Sequence, residues 1–282
     1  MEDTLDYLFV DEAGQVSLGH LAAMGAAAKN IIIIGDQMQL SQPVQGTHPG
    51  DSGKSTLEYL LEGQDTVPEH RGILLPVSYR LNPSICDFIS EAVYEGRLKP
   101  APGNWQQKLY RPLDENLGIG SEGIGFIDVS HEGRSQRSDE EGEVISGLFH
   151  RALKNRYIDS NGIERDMTMD DIMIVAPYNA QVNYLKKVLP VGARVGTIDL
   201  FQGQEAQVVL ISMTTSSKDS LPRNIEFLFS RNRLNVAVSR AKCLAVVVAS
   251  PRLLTISCRT IGQMKLVNFL CYARDYAQEI EY

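Results

Sequence analysis

The sequence has few of the residues that mark secreted, metal-binding or membrane-spanning proteins. It contains four cysteines in 282 residues, and none is spaced as C-x-x-C or lies at ligand spacing from a histidine. This scarcity argues against a disulfide framework or a zinc site, so we expect reduced and mostly buried thiols. No apolar run approaches the roughly 20 residues that span a bilayer, and the acidic first residues do not resemble a signal peptide. We therefore expect a cytoplasmic protein without a membrane partner.

The chain also lacks the basic balance of many nucleic-acid-binding proteins. Its 27 Lys and Arg against 35 Asp and Glu give a formal net charge of −8. This counts against a nucleic-acid partner without excluding one, because an enzyme that holds a strand in one channel needs only a local positive field. A length of 282 residues with 43% hydrophobic content fits one or two globular domains with a sizeable core.

Short apolar runs recur along the chain and predict β-strands. We expect strands near residues 5–10, 30–35, 73–78, 123–129, 171–176, 193–199, 206–214 and 243–249. Runs such as Ile31–Ile34 and Leu244–Val248 are continuously apolar, which is typical of strands buried on both faces of a parallel sheet. Three segments rich in loop-forming residues are expected on the surface: 99–122, 158–170 and 216–230.

Start signals predict helices between these strands. Asn82 precedes Pro83 and a helical apolar pattern, so we expect it to cap a helix. Ser138 with Glu141 three residues later fits a capping box, and a final helix is expected near 263–278. Strands that alternate with helices predict an α/β fold with right-handed crossovers.

An acidic pair follows the first predicted strand. Apolar residues 5–10 lead into Asp11, Glu12, Ala13 and Gly14. An apolar strand with Asp-Glu at its carboxyl end is the Walker B arrangement, in which one carboxylate holds Mg²⁺ and the next polarises the attacking water. Acidic pairs after apolar runs are also common as solvated strand ends, so the pair alone leaves both interpretations open.

Four later segments place polar residues beside predicted strands or helices: Gly35–Pro43, Ser78–Pro83, Val195–Glu205 and Asn235–Lys242. The first follows a strand, as a site at the carboxyl edge of a parallel sheet does. In the second, an arginine could reach a phosphate and a tyrosine could stack on a base. Taken singly, each segment is equally compatible with an ordinary turn or a solvated helix end.

The order and spacing of these segments resemble the superfamily 1 helicases, in the subgroup of the nonsense-mediated-decay helicase and its DNA-repair relatives. DEAG resembles motif II, GDQMQLSQP motif III, SYRLNP motif IV, GTIDLFQGQE motif V and NVAVSRAK motif VI. Residues 176–181 resemble the family's loop between motifs IV and V. Motif III departs from the family pattern by one extra residue, Gln42, before Pro43.

The resemblance implies a RecA-like P-loop NTPase fold, an α/β architecture with a mostly parallel sheet flanked by helices. The family has two such domains, with ATP between them and single-stranded nucleic acid across both. Residues 1–75, with motifs II and III, would be a remnant of the first domain. Residues 76–282, with motifs IV, V and VI, would be a nearly complete second domain.

The resemblance also implies roles in ATP hydrolysis. Asp11 would hold Mg²⁺, and Glu12 would position or deprotonate the attacking water. Gln39 would sense the γ-phosphate and couple it to strand movement. Arg80 and Arg240 would act as arginine fingers that neutralise transition-state charge.

Further residues are implied to bind the nucleotide or the nucleic acid. Tyr79 would stack near the adenine, while Gly203 and Glu205 would lie by the nucleotide, with Glu205 at the ribose. Three residues would face the nucleic-acid backbone: Pro177, Tyr178 and Thr197. Their assignment rests on positions where contacts vary within the family.

Gly53-Lys54-Ser55-Thr56 imitates the end of a phosphate-binding loop. His48 stands where the pattern G-x-x-x-x-G-K-[ST] requires a glycine, and the segment follows motif III, whereas the family's loop precedes motif II. We expect Ser55 or Thr56 to cap a short helix instead. On this interpretation the true loop is absent, and the chain is the carboxyl-terminal part of a larger helicase.

The implied function is an ATP-dependent helicase or translocase that uses ATP and Mg²⁺ on single-stranded nucleic acid, DNA in preference to RNA. The subgroup implies 5′→3′ movement and a role in DNA repair. The chain alone is expected to be inactive in ATP hydrolysis, and its expected partners are the nucleic acid and the upstream part of the same polypeptide. The alternative is a non-catalytic RecA-like module that binds nucleic acid or protein. Another class of P-loop ATPase is disfavoured by motifs IV to VI.

Overall fold

The structure is a computed structural model that describes residues 5–40, 46, 48–110, 121–278 and 280. The chain divides into two compact units. The first unit comprises residues 1–75 and 93–95, and the second comprises residues 76–92 and 96–282. The extra Gln42 of motif III and residues 111–120 of the first expected surface segment lie outside the described residues.

The described residues form strands and helices that alternate through most of the chain. The strands are β1 (Leu5–Val10), β2 (Ala28–Ile33), β3 (Val77–Ser78), β4 (Lys99–Pro100), β5 (Lys108–Tyr110), β6 (Gly123–Asp128), β7 (Arg156–Ile158), β8 (Glu164–Asp166), β9 (Ile172–Val175), β10 (Arg194–Gly196), β11 (Ala206–Ser212) and β12 (Ala241–Ala249). The α-helices are α1 (Leu18–Gly25), α2 (Thr56–Leu61), α3 (Pro83–Val93), α4 (Asp139–Leu153), α5 (Asn179–Val188), α6 (Ile225–Leu228), α7 (Arg231–Ser239) and α8 (Ile261–Tyr276).

The first unit contains a parallel pair of strands. β1 and β2 pair in register from Leu5 opposite Ala28 to Val10 opposite Ile33. Apolar side chains on both strands are exposed, including Phe9 at 64%. Much of the apolar surface of this pair is therefore left uncovered by the described residues.

The second unit is built on a five-stranded parallel sheet in the order β10-β9-β11-β12-β6. Side chains of α4 and α5 share one core with alternate strand residues such as Ile172 and Leu210. The helices α7 and α8 also pack on the sheet, and the buried Val236 and Val238 of α7 lie outside that core. The predicted α/β class, with a mostly parallel sheet flanked by helices, is confirmed.

The expected surface segments contain short elements that the sequence pattern does not predict. β5, β7 and β8 form a three-stranded antiparallel sheet, and α6 lies inside the segment 216–230. Strands of two or three residues are too short for an alternating pattern to be recognised. The strand expected over 73–78 is limited to β3, because Ile73 and Leu75 are exposed at 88% and 79% and pack on little.

The predicted helix starts are largely confirmed. Asn82 Oδ1 accepts from the Ser84 nitrogen at 2.8 Å, and Ser138 Oγ accepts from the Glu141 nitrogen at 3.1 Å. The second half of the predicted capping box is wrong. The Ser138 nitrogen donates to Gln181 at 2.9 Å, because the Glu141 side chain is held by other buried partners.

The Gly53–Thr56 segment is not a phosphate-binding loop, as the missing glycine predicts. Lys54 pairs with Asp51 at 2.7 Å, and Ser55 Oγ accepts from the Glu58 nitrogen at 3.1 Å to cap α2. A short 3-10 turn over Gly50–Gly53 precedes the cap, where a phosphate-binding loop requires a buried strand.

All four cysteines are free thiols. Cys86 and Cys243 are buried, and burial raises the pKa of each thiol to about 12. Cys258 and Cys271 are half-buried, so the expectation of mostly buried thiols holds in full for two of the four. None of the described helices combines the length and apolar character that crossing a membrane requires.

Replacing Asn82 with alanine tests how the second unit is held at the start of α3. The Asn82 amide also donates to the Gln107 carbonyl at 2.7 Å and to Glu122 at 2.9 Å. We expect the free energy of unfolding in urea to fall by about 2–4 kcal/mol. The lost cap accounts for about 1 kcal/mol, and buried partners left without a hydrogen bond account for the rest. The cap-only variant Thr260→Ala at α8 should lose about 1 kcal/mol, and an equal loss in both variants would contradict this account.

Candidate nucleotide and nucleic-acid sites

The acidic pair of the first unit lies directly after β1. Asp11 and Glu12 are exposed, and the Glu12 nitrogen donates to Asp11 Oδ1 at 2.8 Å. Glu12 has a φ of +51° in the left-handed region, a conformation that costs about 1–3 kcal/mol for a residue other than glycine and is concentrated at functional sites. Both carboxylates are thus presented to solvent at the carboxyl end of a strand.

The backbone after β2 packs against this turn. The Ile34 nitrogen donates to Val10 at 2.8 Å, and the Ala13 nitrogen donates to Ile34 at 2.9 Å. A Cβ on Gly35 would lie 2.8 Å from the Ala13 nitrogen, so only glycine allows the approach. The sequences DEAG and GD therefore meet at one edge of the strand pair.

Gln39 is oriented by Asp36. Its Nε2 donates to Asp36 Oδ2 at 3.1 Å, and the same oxygen accepts from the Tyr94 hydroxyl at 2.6 Å. The Met38 nitrogen donates to the other carboxylate oxygen at 2.9 Å. Asp36 is thus a positioning group for Gln39, a role that the sequence pattern did not reveal.

The described residues contain no group of three or more His, Cys, Asp and Glu side chains that could hold a metal ion. Asp11 therefore supplies one carboxylate and not a complete cage. This fits Mg²⁺, which proteins usually hold through one or two carboxylates together with waters and substrate phosphates. Its role as a Mg²⁺ ligand stays a prediction.

In the second unit, cations gather where β11 and β12 begin. Glu205 pairs with Arg80 at 2.8 Å and with Lys242. Arg80 also donates to the Ser239 carbonyl at 3.4 Å. Burial opposes ionisation of Glu205, but Lys242 and Arg80 outweigh it and hold its pKa below the ordinary value. Glu205 is therefore a carboxylate that organises two cations, and its predicted ribose contact stays a prediction.

The group formed by Arg80, Lys242 and Glu205 is called the cation cluster below. Arg240 contacts it through its backbone. It is the C-cap of α7 and is buried at 4% exposure. Its carbonyl accepts from the Ala206 nitrogen at 3.0 Å, directly after Glu205. The structure thus brings Arg80, Arg240 and Glu205 to one edge of the sheet, and their roles at the nucleotide stay predictions.

Two further residues that are predicted to contact the nucleotide, Tyr79 and Gly203, lie near Arg80 and Glu205 in the sequence. Tyr79 precedes Arg80 and is exposed at 80%, which leaves its ring available for stacking. Gly203 is exposed and has a φ of +73°, a left-handed conformation that favours glycine. Their contacts with adenine and nucleotide stay predictions.

The predicted nucleic-acid residues lie at the opposite edge of the sheet. Pro177 and Thr197 follow β9 and β10, whereas Glu205 precedes β11. Because β11 has seven residues, the two edges are about 20 Å apart. An open groove of about 320 Å³ lies at this edge, and its lining comprises Gln136, Pro177, Tyr178, Asn179, Thr197, Asp199, Pro222, Arg223, Phe227 and Arg233.

An aromatic ring held by two arginines forms part of the groove. The Phe227 ring stacks on Tyr178 with centroids 5.6 Å apart. The guanidinium groups of Arg223 and Arg233 lie 4.4 and 4.7 Å from the Phe227 centroid. Arg233 also pairs with Asp199 at 3.1 Å, so one arginine charge in the lining is left without an acidic counterpart in the groove. Burial raises the pKa of Tyr178, which keeps its hydroxyl neutral.

The structure brings Pro177, Tyr178 and Thr197 together in the lining of one groove, and their contact with the nucleic-acid backbone stays a prediction. It adds Arg223, Phe227 and Arg233, which sequence reasoning missed because two of them fall in the segment expected to be a surface loop. The interleaving of basic and aromatic residues in Arg223–Arg233 is the signal that could have identified them.

Comparison with known proteins gives consistent results. Residues 53–252 match the AAA domain family. The chain is 27% identical over 249 residues to the DNA polymerase alpha-associated DNA helicase A of Schizosaccharomyces pombe, covering 84% of this chain and 36% of the relative. It is 29% identical to the DNA-binding protein SMUBP-2 of Mus musculus, covering 88% and 25%. It is 26% identical to the ATP-dependent helicase NAM7 of Saccharomyces cerevisiae, covering 93% and 27%.

The chain spans about a third or less of the length of these relatives. Among solved structures it is similar to arterivirus nonstructural protein 10, a helicase in complex with DNA, with a TM-score of 0.43 and 18% identity over 89% of this chain and 41% of that chain. The family match covers more than half of the chain. The chain therefore belongs to the AAA domain family and is a superfamily 1 helicase sequence of the nonsense-mediated-decay and DNA-repair group.

Proposed function

We propose that this chain is the part of an ATP-dependent helicase or translocase that couples ATP hydrolysis to movement on single-stranded nucleic acid. The observation that supports it most strongly concerns α7. This helix carries the groove residue Arg233 near its start and ends at Arg240 in the cation cluster. A change at either site can therefore be transmitted along one rigid element.

The proposed hydrolysis uses the residues whose roles the family resemblance implies. Asp11 would hold Mg²⁺, which would supply charge neutralisation at the phosphates, and Glu12 would orient the attacking water and accept a proton from it. Arg80 and Arg240 neutralise the charge that develops on the transferred phosphoryl group. Gln39, oriented by Asp36, senses the γ-phosphate. Glu205 keeps Arg80 ordered until a phosphate competes for it.

The groove is proposed to hold the nucleic-acid backbone. Arg223 and Arg233 supply the local positive charge that an acidic protein needs for this task. Thr197 and Asn179 offer neutral hydrogen-bonding groups. Groups of this kind commonly contact the phosphates and sugars of nucleic acids. We propose a single strand because every family role assigned to this edge concerns one strand.

DNA is the proposed substrate, with movement 5′→3′, a role in DNA repair and a cytoplasmic location. The names of two relatives refer to DNA, a DNA helicase and a DNA-binding protein, and polarity rests on the subgroup resemblance. Unwinding assays of a protein that joins this chain to a phosphate-binding loop, with matched DNA and RNA duplexes that carry either a 5′ or a 3′ overhang, decide both points. Preference for RNA or for 3′ overhangs would overturn this part of the proposal.

The apolar strand pair of the first unit is proposed to be covered by a further segment of the same polypeptide. Tyr7 and Phe9 are exposed at 59% and 64%, and Ile34 at 44%. Exposed apolar surface on a strand pair is a recognised site for pairing and packing. The relatives are three to four times longer than the matched region, which provides candidates for such a segment.

Arg223→Ala should weaken binding of a twelve-nucleotide oligothymidine, measured by fluorescence anisotropy at several salt concentrations. We expect a fall in affinity of about tenfold and a reduction in the salt slope of about 0.7, the value for one lost phosphate contact on a single strand. Arg165→Ala is the matched control, because Arg165 pairs with Asp159 and lies outside the groove. Equal effects in both variants would contradict the groove assignment.

Arg240→Ala should abolish ATP turnover in a protein that joins this chain to a phosphate-binding loop. An arginine finger is worth at least about 10³-fold in kcat, and Arg240→Lys should not restore it because lysine lacks the planar fork. Arg274→Ala on α8, which removes a pair with Asp128 at the end of β6, controls for loss of a surface arginine. Turnover within a few-fold of wild type would favour the non-catalytic module instead.

The 282-residue chain alone should release no phosphate from ATP with Mg²⁺ and oligothymidine. It lacks a complete G-x-x-x-x-G-K-[ST] motif, whose lysine and amides supply much of the phosphate binding. A colorimetric phosphate assay measures this. Release that Glu12→Gln abolishes would show that the chain is active by itself and would contradict the prediction.

A further inference from the structure

A fully buried carboxylate lies behind the groove and belongs to none of the helicase motifs that the sequence resembles. Glu141, in the first turn of α4, has a relative exposure of 0%. Its Oε2 accepts from the Ser212 hydroxyl at 2.6 Å and from the Thr214 nitrogen at 2.7 Å. Its Oε1 lies 2.9 Å from His131 Nε2. Three donors thus converge on one carboxylate in the interior.

His131 extends this set of contacts. Its ring is buried, and Nδ1 lies 2.7 Å from the Ser216 hydroxyl. Because Glu141 accepts, Nε2 carries a hydrogen and donates to it. Ser216 Oγ also accepts from the Arg134 nitrogen at 2.9 Å, and the Ser216 nitrogen donates to the Arg134 carbonyl at 2.9 Å. The imidazole therefore links the carboxylate to two separate loops.

The segment after β11 is strained at the point where Glu141 holds it. Thr214 has a φ of +70°, which is an energetically unfavourable outlier for a β-branched residue. Its nitrogen is one of the donors to Glu141. The hydroxyl of the next residue, Thr215, donates to the Ser135 carbonyl at 2.8 Å. Such a conformation persists only when surrounding contacts hold it.

The hydrogen bonds around Glu141 continue to residues beside the groove lining. Gln181 bonds to both the nitrogen and the carbonyl of Ser138 at 2.9 Å and contacts Ser212 at 3.3 Å. Gln181 lies two residues after Asn179, and the groove residue Gln136 lies between Arg134 and Ser138. Two of the segments that line the groove, 134–138 and 177–181, are therefore bonded to this cluster.

We propose that Glu141 and His131 are positioning residues for the nucleic-acid groove. They touch no ligand. They hold residues 134–138, 177–181 and 213–217 in the arrangement that lets Gln136, Pro177 and Asn179 meet a strand. The assignment of the ligand rests on the proposed function, but the positioning role is a property of the fold and is tested separately.

The test compares four variants of the cluster by oligothymidine affinity and by amide hydrogen exchange of the three segments. Glu141→Leu and His131→Leu remove the hydrogen bonds. Glu141→Gln retains them, because its amide can donate to His131 Nε2 once the ring hydrogen moves to Nδ1. His131→Gln keeps one donor for Glu141 and one acceptor for Ser216. Leu148→Ala, in the α4 core, is the control for stability loss alone.

We expect both leucine variants to raise the Kd and the exchange rates of residues 213–217 by about tenfold or more, because buried polar groups lose their hydrogen-bond partners. In both glutamine variants the Kd and the exchange rates should stay within about threefold of the wild-type values, because only one hydrogen bond is altered. Leu148→Ala should leave the Kd nearly unchanged. If Glu141→Leu fails to fold, the two histidine variants decide.

The positioning role is overturned if leucine and glutamine variants behave alike, or if Leu148→Ala raises the Kd and the segment exchange as much as Glu141→Leu does. If wild type binds no oligothymidine, the proposed function fails, and the exchange data alone decide the positioning role. Selective loosening of the three segments supports the role, and uniform loosening of the unit overturns it.

Discussion

One buried helix, α7, connects the groove to the cation cluster in the second unit. Arg233 and Arg240 are seven residues apart along α7, which places them about 10 Å apart along the axis at 1.5 Å per residue. The five consecutive residues Leu234–Val238 are all buried, so the middle of the helix is enclosed on every side. A helix packed in this way moves as a unit, because interiors are close-packed and deform little. The groove and the arginines of the cation cluster are therefore mechanically tied.

The two sites use charge in different ways. At the cation cluster, Glu205 neutralises part of the charge of Arg80 and Lys242 in partly exposed pairs, which a phosphate can displace because such pairs are weak. Behind the groove, Glu141 is buried and satisfied by three donors. Breaking a buried, satisfied set is far more costly than breaking an exposed pair. We therefore expect adaptable contacts at the nucleotide and fixed ones behind the nucleic acid.

Much of the fold follows from local patterns in the sequence. The continuous apolar run Leu244–Val248 identifies a buried strand of the parallel sheet, and Asn82 and Ser138 identify two helix starts. The burial expected for the run Ile31–Ile34 is wrong among the described residues, where it is largely exposed. Glu141 was misread as half of a capping box, because its partners Ser212 and Thr214 are about 70 residues away and sequence spacing carries no information about them. Arg223 and Phe227 were missed for a similar reason, since their significance depends on Tyr178 from another element.

The most direct test of the account is a structure of the chain bound to an oligothymidine of about eight nucleotides, within the size range that single-strand sites occupy. The account predicts a strand that crosses the carboxyl edge of the sheet, with phosphates on Arg223 and Arg233 and sugars near Pro177 and Thr197. A strand bound at any other face, with this groove empty, would contradict it.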